Sequence, residues 1–135
     1  METDNLELLQ RMLLGEATQQ IDRPSLLGDA NVILAGNPAA CQLLDYSLPD
    51  LLQRSPTDIS RLEQDQVDQV FGVLRERRQL TGTVWLKQRD GTDIVMEFKA
   101  WLVSVAGAPA WFAWFRPAVG QIPTEPIVLA EPLYA

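Results

Sequence analysis

From residue 81 to residue 116 the chain reads as three strand-length runs with only two interruptions, a pattern that allows little besides an antiparallel meander. The runs cover 81–88, 93–105 and 110–116. Arg89-Asp90-Gly91-Thr92 separates the first two, and its Asp-Gly pair is a strong hairpin signal. Ala106-Gly107-Ala108-Pro109 breaks the longest uncharged stretch, so the flanking apolar residues read as two buried strands joined by a turn, not as a membrane span. Alternation in the middle run puts Ile94, Met96, Phe98, Ala100 and Leu102 on a core face, with Val95, Glu97, Lys99, Trp101 and Val103 opposite. The last run carries aromatics on both faces, Trp111 and Phe115 against Phe112 and Trp114, and Trp85 lies in the neighbouring strand. A half-wet sheet has no need of them; either a helix or another molecule covers the second face.

The stretch 31–47, NVILAGNPAACQLLDYS, specifies a strand, a cap and a helix within a few residues. Val32, Ile33 and Leu34 form the strand run, Asn37 offers a capping oxygen, and Pro38 takes the first helical position, where its missing N–H is not needed. Ser47 caps a further short turn at 48–52, and Pro56 and Thr57 open another. Residues 62–80 predict the best helix, with Val67, Val70, Phe71 and Leu74 on one face. Acids at its start and arginines at its end suit the helix dipole, which explains the arginines without a nucleic-acid role.

The ends are less constrained. Leu6, Leu9 and Leu13 give 4–15 an amphipathic helix, whose apolar face docks on this domain or on a second chain. Residues 17–21 read as a polar edge strand, with a swapped segment from a second chain as the alternative to 18–21, and Pro24 and Gly28 mark a loop before the strong strand. After Arg116 the prolines at 117, 123, 126 and 132 predict a loose tail, with the apolar strip 127–130 as a candidate to lie on the sheet or a partner.

Composition narrows the function. A hydrophobic content of 47% supports one core, and a formal charge of −7 repels nucleic acid and anionic membrane. There is one cysteine, Cys41, and no histidine, which excludes an intrachain disulfide and any histidine-bound metal. The N-terminus lacks the basic start and apolar run of a signal peptide, so a cytoplasmic setting is expected. No spaced carboxylate pair, histidine dyad or phosphate loop stands out, and no enzymatic activity is expected.

The segments NPAACQLLDYS at 37–47 and LKQRDGTDIVMEF at 86–98, with Gly82 after the long helix, resemble the PAS family of sensor domains over about residues 17–116. The resemblance implies an α+β fold: a five-stranded antiparallel sheet with short helices and one long helix on one face. Here it would be preceded by the N-terminal helix (1–16) and followed by the proline-punctuated tail (117–135). It further implies a sensor or interaction module. The histidine that ligates haem in such relatives is missing, and 53–58 lacks the thiol that forms a flavin adduct. A non-covalent flavin or apolar ligand stays open, in a pocket lined by Phe71, Gly72, Leu74, Met96 and Phe98 with one alternate set of the last strand. Gly72 either leaves space there or allows close helix-to-sheet packing. Since no output element follows Arg116, the leading expectation is a stand-alone signal-transduction module acting in trans on a regulatory protein. It would be a homodimer through Leu6, Leu9, Leu13, Trp85, Trp101 and Trp111.

Overall fold

The computed structural model describes residues 23–130. The expected 4–15 helix, with Leu6, Leu9 and Leu13, and the expected 17–21 edge strand lie outside the described residues.

β1 (Ser25–Gly28) and β2 (Ile33–Gly36) lead into α1 (Pro38–Leu44) and α2 (Leu48–Leu51); α3 (Gln64–Arg77) is followed by β3 (Gln79–Lys87), β4 (Asp93–Val105), β5 (Ala108–Pro117) and β6 (Ile127–Leu129). Asn37 organises the entry. Its Oδ1 accepts from the Ala40 amide (2.9 Å), capping α1, and from the Ser25 amide (3.0 Å), while its Nδ2 donates to the Arg23 carbonyl (2.7 Å). One buried side chain thus caps the helix and ties it to β1. Ser47 caps α2, and Gln66 accepts from the Glu63 amide at the start of α3. α3 is shorter than the 62–80 expectation: Arg78 turns left-handed (φ 74°), and Gln79 and Leu80 already belong to β3.

All strand pairings are antiparallel, in the order β2-β1-β5-β4-β3-β6. The β4–β5 hairpin closes through Ala106 and Gly107, both at positive φ, the turn whose twist matches the strands. Two expectations are corrected. The loop placed at Pro24 and Gly28 is instead the interior strand β1, paired on both sides by β2 and β5 and buried at all four positions. A strand covered on both faces shows no alternation, which hid it from a pattern reading. The sheet has six strands, not five, because Ile127–Leu129 of the expected loose tail pairs with β3.

The helices cover one face of the sheet. There Leu44, Leu51 and Leu74 pack on Leu80, Val84, Met96, Phe98, Ala100, Ala113 and Phe115. The opposite face carries a second cluster, in which Leu27 and Phe112 are 0% and 2% exposed and Trp101 and Trp114 are half-buried.

A candidate ligand cavity under the long helix

Between α3 and the sheet lies a cavity of about 110 Å³. Val67, Val70, Phe71 and Leu74 of α3 form its roof; Leu80, Val84 and Leu86 of β3, Phe98 and Ala100 of β4, and Trp111, Ala113 and Phe115 of β5 form its floor. The 56–62 connector closes one end with Pro56, Ile59 and Leu62, and Ile127 of β6 contributes at the sheet edge. The space has a simple origin: Ala100 and Ala113 are direct cross-strand partners, so two small side chains face α3 where larger ones would fill the gap.

Ser60 is the one polar side chain of the wall, and its hydroxyl is engaged, donating to the Pro56 carbonyl (2.6 Å) and accepting from the Leu62 amide (3.2 Å). No acid, base or free donor faces the interior. Such a wall favours an apolar molecule, because any polar group placed there would lose its water without gaining a partner. The wall would offer a flavin's polar ring edge only hydrocarbon, so of the two expected ligands an apolar molecule suits it better.

Of the residues expected to line the pocket, Phe71, Leu74 and Phe98 do so. Met96 is buried in the same core but outside the cavity wall. Gly72 is corrected outright: it lies on the exposed side of α3, and a Cβ there would meet nothing within 4 Å, so it neither opens the pocket nor permits close packing. The alternate set expected from the last strand is Trp111, Ala113 and Phe115; the lining not expected includes Leu26, the inner face of β3, Ala100, Ile127 and the connector. Paired alanines on the core face of two strands were the legible signal, whereas the connector and Ile127 arrive by tertiary folding.

The expected interface residues separate. Trp111 is on the inner face, lines the cavity, and donates its indole N–H to the Asp29 carbonyl (2.9 Å). Trp85 is half-buried, its indole N–H donating to the Pro123 carbonyl (3.0 Å). Trp101 lies on the outer face with Phe112 (centroids 5.8 Å apart) and Trp114 (4.9 Å), and the Lys99 ammonium sits 5.1 Å from its ring. Cys41 is half-buried on α1 and outside the cavity wall, and burial pushes its thiol pKa up, away from the thiolate form. Among the described residues no cluster of three or more histidine, cysteine or acidic side chains is placed to hold a metal, and no helix is long and apolar enough to cross a membrane.

No family model matches the chain, and no curated relative matches it. Solved structures do. A PAS domain from a two-component sensor histidine kinase superposes with a TM-score of 0.66 at 18% identity, covering 82% of this chain and 97% of its own. The PAS domain of an HTR-like protein from Haloarcula marismortui gives 0.64 at 21% identity, covering 84% and 95%. The PAS domain of a LuxR-family transcriptional regulator from Burkholderia thailandensis, in complex with ethanol, gives 0.60 at 15% identity, covering 74% and 92%.

Proposed function

We propose that this chain, which has the PAS fold, is a sensory or regulatory module whose receptor site is the cavity under α3, and that its ligand is a small uncharged apolar molecule. The observation that carries the reading is the wall itself: it is hydrocarbon on every side, with its single hydroxyl already bonded, around a volume of about 110 Å³. A molecule with few heavy atoms suits that volume. The ethanol complex of the Burkholderia thailandensis domain supports the same size class for this fold. With no acid or base on the wall, the site is suited to holding a molecule and not to transforming it.

The test uses xenon and short hydrocarbons such as propane as probes on the full chain, followed by thermal unfolding and native mass spectrometry. Saturable stabilisation that rises with probe concentration is expected, because a ligand bound only by the folded state shifts the equilibrium by mass action. Ala113→Leu, which fills the floor, removes that stabilisation. No saturable shift in the parent chain, with no retained mass, overturns the reading.

A second reading, action in trans as a self-associating module, is supported by a different surface from the one expected. On the expected sheet face, Leu27 and Phe112 are buried within the single chain while Trp101 and Trp114 stay half-buried. Instead Val119, Ile122 and Val128, three of the four exposed large apolar side chains among the described residues, lie in the C-terminal segment.

A further inference from the structure

β3 would be an open sheet edge, and the chain closes it with two of its own segments. The 59–61 connector takes one half: the Arg61 amide donates to the Trp85 carbonyl (2.9 Å), the Lys87 amide donates to the Ile59 carbonyl (2.9 Å), and the Arg61 side chain pairs with Asp93 at the start of β4. β6 takes the other half. It sets Leu129, Val128 and Ile127 against Gly82, Thr83 and Val84, with the Trp85 amide donating to the Pro126 carbonyl (2.9 Å) and the Ala130 amide to the Thr81 carbonyl (2.8 Å).

The β3 side is shaped for a visiting backbone. A Cβ on Gly82 would stand 2.2 Å from the Val128 carbonyl oxygen and 3.1 Å from the Leu129 Cα, so only glycine lets that strand in. The β6 side is lightly held. It is a three-residue strand at the end of the 118–126 crossover. The crossover is held to the rest of the fold by the Ala118 amide on the Val95 carbonyl, the Val119 amide on Glu97, and the Pro123 and Pro126 carbonyls, which accept from the Trp85 indole and the Trp85 amide. Extended, residues 118–126 reach on the order of 30 Å, whereas crossing from β5 over β4 and β3 takes about 14 Å. The crossover is thus about twice as long as the intrachain path needs. Along the crossover Val119 is 76% exposed and Ile122 46%, apolar surface that the single chain leaves uncovered.

We propose that the β3 edge is a strand-exchange interface between two copies of this chain, in which β6 of one copy occupies the Gly82 edge of the other. The occupant is a second copy because its β6 already matches the edge residue for residue, so exchange keeps every strand contact. The proposal rests on the reading of the chain as self-associating and names the surface and the segment.

The test uses two full-length copies, each with Cys41→Ala. One carries Thr83→Cys and the other Val128→Cys, positions directly opposed across the β3–β6 pair. After mixing and incubation, a short thiol–thiol cross-linker is expected to produce a covalent heterodimer well above either variant alone, rising with protein concentration. Gly82→Val in the T83C copy removes it. If that variant does not fold, excess unlabelled full chain must suppress the cross-link by competition instead. Native mass spectrometry of the unmodified chain runs alongside. A dimer without the T83C–V128C cross-link overturns the strand exchange and leaves self-association standing; a chain single at every concentration overturns both.

Discussion

Gly72 and Gly82 show how little a residue's identity says until its surroundings are known. Both are glycines in otherwise regular elements, where glycine weakens the backbone. At Gly82 the reason is steric, since the incoming β6 carbonyl occupies the place of a side chain. At Gly72 the structure offers no such reason: the position is exposed in the middle of α3, with open space where a Cβ would stand. Gly72→Ala is therefore expected to stabilise the fold by about 1 kcal/mol, seen as a higher urea midpoint at unchanged slope. Probe binding in the cavity should not change, because the side chain added points away from it. Asn37 is the opposite case. Its capping role was readable from Asn-Pro after a strand, but its bonds to Ser25 and Arg23 depend on β1, which the sequence hid.

Among the elements, the β5-to-β6 crossover leaves the sheet beside an ion pair. The Arg116 guanidinium donates to the Glu97 carboxylate (2.8 Å), whose other oxygen accepts from the Val119 amide (3.3 Å), just where the chain leaves the sheet. Arg116, then the Val119 amide, hold the Glu97 carboxyl below the usual carboxylate range. A group with a depressed folded-state pKa stabilises the fold fully above its unfolded-state value and loses that contribution as pH falls through the folded-state value. The Val119 amide resonance should accordingly titrate with acid in the parent chain and lie flat at the same pH in Glu97→Gln. The pair is exposed, so global stability moves little and the effect is local to the crossover. Acid would thus loosen the segment that strand exchange needs free. The hairpin turns and helix caps at this scale were legible, since Asp-Gly, Ala-Gly and Asn-Pro each carry their own backbone preference.

For the molecule as a whole, the sheet separates two apolar layers. The inner one holds the cavity, and the outer one centres on Phe112 and Leu27. Burial of the outer layer makes it part of the core. Phe112→Ala is expected to cost about 3–5 kcal/mol in urea unfolding, the loss of a buried aromatic and not of a surface one. A cost near zero would show that this face is open in solution and would return it to the candidates for a partner surface. The cavity belongs to this scale too. Its wall draws on β1, α3, β3, β4, β5, β6 and the 56–62 connector, so no single element marks it.

The sequence by itself determined the meander, its two turns, the strand–cap–helix entry and the apolar face of α3, because each rests on local backbone preference or on short-range periodicity. It also named Phe71, Leu74 and Phe98 as cavity residues, since a helix face and a strand face can be read one residue at a time. Only the tertiary structure decided that 25–28 is an interior strand, that Trp111 faces inward, that Gly72 faces out, and that 127–129 returns across two strands to close the β3 edge. Those are pairings between segments far apart in the chain, whose energy comes from the partner met and not from the residues meeting it.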